Sequence, residues 1–271
     1  MLLRRRLAAS VAAARLPRLR AGNLLGAIGP IVLLVAWQFA SGPIIDPFLL
    51  PPPTAVAAGF IELWGRGTLQ ESIGISMFRI LAGWLVGSAV AMPIGLVVGY
   101  SIAARRLMDP FIHFFRFVPA IALITLFLLW LGVGEASKVG LIAYATGFIV
   151  MVNTATGVGA IHSDKLNAAR CLGANDRQVF LHVVTPAAIP YIFVGMRLAM
   201  ATAFVVIVGA EIIAANSGLG YLIWTSRLFF QVDWIFAGVI TLGVLGFLTD
   251  HAWGWFGRRL IGRYLRHTVT Y

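Results

Sequence analysis

Ile75-Ser76-Met77-Phe78-Arg79-Ile80-Leu81-Ala82-Gly83-Trp84-Leu85-Val86-Gly87-Ser88-Ala89-Val90-Ala91-Met92-Pro93-Ile94-Gly95-Leu96-Val97-Val98-Gly99-Tyr100 decides the fold class. After Arg79 it carries no charged side chain, and it exceeds the roughly 20 apolar residues that a helix needs to cross a bilayer. Within it Gly83, Gly87, Ala91, Gly95 and Gly99 recur at every fourth position. On a helix they form one stripe of small side chains, along which a second backbone can approach closely. Packing of this kind is what joins helices inside lipid, where the hydrophobic effect no longer does. Packing within the chain is the first reading of the stripe; contact with another subunit and a pore wall stay open. Pro93 predicts a bend.

Composition extends this reading to the whole chain. Of its 271 residues, 60% are hydrophobic and 11% charged, and the mean hydropathy is +0.90. A soluble domain of this size needs more polar surface. Six apolar stretches are expected to span: residues 24–42 (containing Pro30), 75–100, 114–133, 139–161, 188–215 and 234–256. The expected organisation is a basic segment 1–23, a first span 24–42, an outer segment 43–72, a five-helix core 73–256 interrupted by an inner loop 162–187, and a basic tail 257–271. Within the outer segment, Leu50-Pro51-Pro52-Pro53-Thr54 reads as an extended strap, and residues 55–64 as a short helix lying on the surface.

The formal charge of +11 is distributed by side. With the N-terminus inside, the inner segments hold 15 Lys and Arg residues and the outer ones four, namely Arg66, Arg79, Lys138 and Arg227. That asymmetry places both termini in the cytoplasm and makes anionic lipid headgroups, not nucleic acid, the partner of the basic excess. The single cysteine, Cys171, excludes an intrachain disulfide.

A catalytic constellation is missing. The sequence has no phosphate-binding glycine-lysine loop, no His-Glu-x-x-His pair and no Gly-x-Ser-x-Gly elbow. His113, His162, His182, His251 and His267 show no metal-ligand spacing. The chain is read as a transport component that is not an enzyme and binds no cofactor of its own. Its polar features fall into two groups. The first is the inner loop. Ser163 is expected to cap a short helix, Gly173 suits the position just past its end, and Asn175 caps a second helix over 176–184 that Pro186 stops. The second group lies in or beside the spans: Arg79, Arg116, Asn153, Arg197 and Glu211. Charged groups there are expensive and commonly functional. The arginines are candidates for contacting an anion in a translocation path, or they reach an interface. Asn153 is a polar path candidate. Glu211 is a surface residue bonded to backbone in the turn 216–220, or a gate or path residue. If the solute is an anion, an internal tether suits it better than direct contact.

The inner loop resembles the signature loop of ABC importer permeases, whose pattern is Glu-Ala-Ala, three residues, Gly, nine residues, Ile, one residue, Leu-Pro. Asn167-Ala168-Ala169, Gly173, Val183 and Thr185-Pro186 keep this spacing throughout, with Asn for Glu, Val for Ile and Thr for Leu. Three further stretches are similar to the sulfonate, taurine and nitrate permeases. They are Leu50 to Val56, Phe117 to Ala122 with Trp130 to Lys138, and Gly209 to Ala214 with Ser217 to Ile223. The resemblance implies a type I importer permease in a bacterial inner membrane. Two copies would bracket a path, and an extracytoplasmic substrate-binding protein would deliver a small anionic solute. A pair of ATPase subunits, holding ATP and Mg, would dock on the loop. Asn167, Ala168, Ala169, Arg170, Gly173, Ala174, Val183 and Pro186 would then be coupling residues. At Asn167 the amide cannot make the charge pairing with the ATPase that a glutamate could. A self-sufficient secondary transporter or channel is the alternative. It predicts internal repeats or several mid-membrane charges.

Overall fold

The computed structural model describes residues 18–260 and the side chains of residues 28–259. The expected basic ends lie partly outside that range, at residues 1–17 and 261–271. The described residues are helical almost throughout. In chain order they form α1 (Arg18–Ala40), α2 (Pro53–Gly65), α3 (Thr68–Tyr100), α4 (Ile102–Phe115), a 3-10 turn (Ala120–Leu123), α5 (Ile124–Leu131), α6 (Glu135–Gly159), α7 (Ser163–Cys171), α8 (Asp176–Val179), a π-turn (Phe180–Val184), α9 (Thr185–Ala214), α10 (Leu219–Leu228) and α11 (Val232–Leu260).

The chain divides into two compact units between residues 59 and 60. In the first, α1 contains Pro30 and carries the apolar stretch Ile28–Ala40. Ser41 Oγ donates to the Leu50 carbonyl at 2.6 Å, which closes the loop after α1. The extended strap ends earlier than expected: Pro53 and Thr54 already belong to α2. Proline is tolerated at a first helical position because the N–H it lacks has no partner there.

Among the described residues of the second unit, four helices are long and apolar enough to cross a membrane: α3, α6, the continuous run Asp176–Ala214 and α11. A fifth crossing is available if α4 and the Ala120–Leu131 segment count as one broken span, bent by 88°. The expected third span, 114–133, is therefore not one helix. Pro119 disfavours a helical conformation at the residue before it, and the chain turns over Arg116–Val118 before restarting. The hydroxyl of Tyr144 donates to the Phe115 carbonyl at 2.7 Å, meeting one of the groups the break exposes.

Pro186 does not stop the second loop helix. The π-turn lets the chain run through it into α9, with both the backbone N–H and the hydroxyl of Thr185 turned to the Phe180 carbonyl. A widened turn takes up the proline ring that would otherwise strike the preceding turn. The expected turn over residues 216–220 is cut short by α10, which begins at Leu219.

The glycine stripe of α3 packs within the chain. A Cβ at Gly83 would meet Ile142 at 2.6 Å, one at Gly87 would strike Thr146 and the Ala143 carbonyl, one at Gly95 would lie 2.7 Å from Thr154, and one at Gly99 2.6 Å from Val158. The offset between α3 and α6 is constant at 59 residues (83 to 142, 87 to 146, 95 to 154, 99 to 158), so the two helices run parallel and in register. Helix α9 runs antiparallel to this pair. Tyr191 packs on Gly157 near one end, Gly195 faces Asn153, and Glu211 sits beside Arg79 at the other. Its inner face is built from Ala199, Ala203, Ile207 and Ala210, all fully buried. Helix α11 is attached by aromatic contacts: Trp253 stacks on Phe193 and meets Trp84 edge-on.

Gly87→Leu is expected to lower the detergent-solubilised melting temperature sharply, since overpacking usually costs about 1–3 kcal/mol and here a backbone carbonyl blocks relaxation. Gly74→Leu, on open space in the same helix, is the control and should melt like wild type. Equal melting of the two variants would contradict the close α3–α6 approach.

Candidate functional site

The exposed end of the bundle carries α7 and α8. Helix α7 begins at Ser163 itself; His162 takes the cap position expected for Ser163 and supplies no side-chain cap. Its C-terminus closes as expected. Gly173 has φ +87, its N–H donates to the Arg170 carbonyl at 2.9 Å, and the Ala174 N–H reaches back to the Ala169 carbonyl at 3.1 Å. These paired bonds are the glycine-terminated helix end that satisfies otherwise orphaned carbonyls. Asn175 then starts α8 with a reciprocal capping box: its side chain accepts from the Gln178 N–H, and the Gln178 side chain accepts from the Asn175 N–H, both at 2.9 Å. Arg170 reaches Asp176 at 3.4 Å across the glycine.

This segment is seated on the bundle by apolar contacts. Val179, Val184 and Ala188 are buried with Val158, and Leu166, Ala169 and Ala174 pack against them. Tyr100, the last residue of α3, meets Phe180 edge-on at 5.4 Å. Asn167, Ala168, Arg170 and Gly173 are exposed, whereas Ala169 and Ala174 pack against the bundle and Pro186 is half-buried. Val183 lies at the rim of the π-turn that joins the segment to α9. The sequence-predicted coupling residues thus divide into an outward face and a face that holds the segment to α3, α6 and α9.

At the opposite end the structure joins two candidates, Arg79 and Glu211, into one buried cluster. The side chains of Arg79 and Glu211 are 2% and 0% exposed and lie 2.8 Å apart. All five N–H groups of Arg79 are used. Nε and Nη2 form a fork on Glu135 at 2.6 and 2.7 Å; Nη1 reaches Glu211 and the Ser217 carbonyl; Nη2 also reaches Ser217 Oγ at 3.3 Å. Glu211 also accepts from Ser76 Oγ at 2.8 Å and from the Gly220 N–H at 2.8 Å. Ser76 Oγ in turn accepts from the Leu219 N–H at 2.8 Å. Lys138 supplies the second positive charge, 3.2 Å from Glu135. Arg79, Lys138 and Glu211 are buried while Glu135 is half exposed; two cations and two carboxylates balance, which offsets the cost of burying the first three. Gly218, at φ +110, lets the turn close on the carboxylate: a Cβ there would strike Glu211.

The remaining candidates lie apart from that cluster. Arg197 forms a fork on Asp250 of α11, with both bonds at 2.6 Å. Asn153 folds its amide back onto the Ile149 carbonyl and packs against Gly195. Arg116 stands at the helix break, 4.7 Å from the centre of the Phe117 ring. It borders a cavity of about 550 Å³ together with Tyr144, Phe148 and Thr202. Sequence reasoning missed Glu135, Ser76 and Asp250 as partners. Each is a polar residue at or inside a span, which was the available signal, but nothing local shows which distant arginine it meets. Among the described residues no cluster of His, Cys, Asp or Glu could hold a metal ion.

Residues 91–262 match the family model described as binding-protein-dependent transport system inner membrane component. The chain is 38% identical to a probable ABC transporter permease protein of Brucella melitensis, over 74% of this chain and 82% of that one. It is 32% identical to the taurine transport system permease protein of Escherichia coli (81% and 82% covered) and 29% to the nitrate import permease protein of Synechocystis (83% and 84%). The fold is shared with a chain of the inward-facing MetNI methionine ABC transporter, at TM-score 0.65 and 15% identity, over 71% of this chain and 95% of that one.

Removing one member of a buried ion pair costs about 3–5 kcal/mol, while replacing the whole pair by apolar groups is far milder. Glu211→Leu is therefore expected to melt well below wild type, as is Arg79→Met, and the double variant Arg79→Met/Glu211→Leu to regain a substantial part of that stability. Additive effects in the double-mutant cycle would contradict the pairing.

Proposed function

The chain belongs to the binding-protein-dependent transport system inner membrane components, and on that premise we propose that it is the permease subunit of an ATP-driven importer of a small anionic solute of the sulfonate, taurine or nitrate kind. Two copies form the path, in a bacterial inner membrane, with six spans each and both termini in the cytoplasm. A separate pair of ATPase subunits, which hold the ATP and Mg, docks on residues 163–186, and a substrate-binding protein delivers the solute from outside.

One observation carries this reading. The α7–α8 segment is braced by its own hydrogen bonds, outward-facing at Asn167, Ala168 and Arg170, and continuous with a span. A docking element that must transmit force needs all three properties. From Asp176 to Ala214 the helical run covers 39 residues, roughly 58 Å at 1.5 Å per residue. Movement imposed on α8 therefore reaches Glu211 along one continuous helical run. With Asn167 in place of a carboxylate, docking rests on the shape of the α7 face and on Arg170. Arg79 and Glu211 act as a tether between α3, α6 and the α9–α10 turn, and make no solute contact. The Arg197–Asp250 fork is likewise internally neutral, which leaves Arg116 as the span arginine available to an anion. Asn153 stays a polar path candidate at the α6–α9 contact.

The experiment is uptake of labelled ethanesulfonate, taurine and nitrate, each in turn, into proteoliposomes holding this chain, its ATPase and its binding protein, with uptake of at least one counting as transport. ATP-dependent uptake is expected for wild type. In Gly173→Val, a side chain at positive φ adds about 1–3 kcal/mol of strain, and uptake should be abolished while the protein stays in the membrane. Uptake that proceeds without the ATPase, or survives deletion of residues 163–176, would overturn the proposal.

A further inference from the structure

We infer that Arg116 and the cavity at the helix break form a binding site for an organic monoanion with an apolar body, such as an aryl or alkyl sulfonate, within the membrane-spanning bundle. This deepens the importer reading and rests on it for the anion's route.

Depth is the first observation. The cavity is lined by Tyr144, Phe148 and Val152 from the central turns of α6 (Glu135–Gly159), and by Thr202 from the middle of α9 (Thr185–Ala214). Arg116 therefore opens onto the middle of the spanning bundle. Non-helical backbone at that depth is tolerated only where it is buried in protein or lines a cavity, and a broken helix beside a cavity is where transporters hold their solutes.

Charge is the second. Arg79 and Arg197 each grip a carboxylate, and Lys138 shares one. Among the described residues Arg116 pairs with no carboxylate, and its guanidinium rests on the Phe117 ring instead. It is the one charged residue lining the cavity among those described. A single uncompensated positive charge is matched by a monoanion; a dianion would bring a second negative charge that no other charged residue lining the pocket balances. The planar guanidinium presents paired N–H groups suited to two oxygens of a sulfonate or carboxylate.

The wall sets the rest of the ligand. Phe115, Phe117, Phe148 and Val206 line the same open pocket as Arg116, and its volume of about 550 Å³ falls in the range of roughly 300–1,000 Å³ typical of clefts that hold organic ligands. Nitrate would leave most of that apolar wall unfilled. An aromatic or alkyl body attached to the oxyanion fills it.

The test is binding of benzenesulfonate to the purified full-length chain in nanodiscs, read by saturation-transfer NMR against empty nanodiscs. Binding is expected. It should weaken about 10- to 100-fold in Arg116→Gln, as removal of a charge-assisted hydrogen bond implies, and less in Arg116→Lys. Phe148→Ala should weaken benzenesulfonate more than methanesulfonate. Nitrate in tenfold excess should fail to displace benzenesulfonate. Equal binding by Arg116→Gln and wild type, or ready displacement by nitrate, overturns the site. Should Arg116→Gln not purify, the competition series on wild type decides alone. ATP-driven uptake without Arg116-dependent binding overturns the site and leaves the importer reading standing; Arg116-dependent binding without ATP-driven uptake does the reverse.

Discussion

A charged group enclosed among transmembrane helices must find its partners inside the protein, and Arg79 is where this chain meets that demand most completely. Its five N–H groups draw in Glu135 from the start of α6, Glu211 from the end of α9 and Ser217 from the turn after it. Separating α3 from α9 would strand Arg79 and Glu211 as buried charges, and α6 is held to both through the fork of Glu135 on Arg79. The penalty for such stranding is several kcal/mol, comparable with the whole stability of a typical domain. The cluster is thus a constraint on geometry as much as a source of stability.

The rest of the second unit follows from that anchor together with the glycine stripe. Small residues bring α3 and α6 into backbone contact over most of their length, and α9 closes the group from the other side. At the far end the same three helices present a seat around Val158 and Ala188, on which Val179 and Val184 fix the α7–α8 segment. A body clamped at one end and carrying a preformed docking element at the other transmits displacement between its ends. On the importer reading the chain supplies the lever, and the energy comes from another protein. The 88° break between α4 and the Ala120–Leu131 segment is the exception to this rigidity. It is also where Arg116 stands, paired with no carboxylate among the described residues.

What the sequence made legible was whatever depends on spacing along one element. The four-residue recurrence of Gly83 to Gly99 foretells a close helix contact, and Gly173 and Asn175 foretell a helix end and a helix start, because each acts through bonds within a few residues. The ends of the spans are less legible. Pro119 falls inside an apolar stretch that reads as one span, and it breaks that stretch. Pro186 reads as a stop, although the π-turn over Phe180–Val184 lets the helix continue; that solution belongs to the backbone and leaves no residue signature. The α9–α10 turn reads as a loop because Ser217, Gly218 and Gly220 carry turn chemistry, while Leu219 to Leu228 is helical beyond it. The site was legible in part. Glu211 could be read as a tether, since a carboxylate suits an anion path poorly. Its partners Ser76 and Arg79 lie 135 and 132 residues away in sequence, and only the folded arrangement of α3 against α9 reveals them.

The Arg79 cluster joins α3, α6 and the end of α9 into one body. Hydrogen exchange followed by mass spectrometry, on wild type and Arg79→Gln in nanodiscs, tests this most directly. If the three elements are so joined, the variant exchanges faster at the starts of α3 and α6 and across the α9–α10 turn together, as parts of one cooperative unit. Faster exchange confined to residues 215–220, with α3 and α6 unchanged, would contradict it.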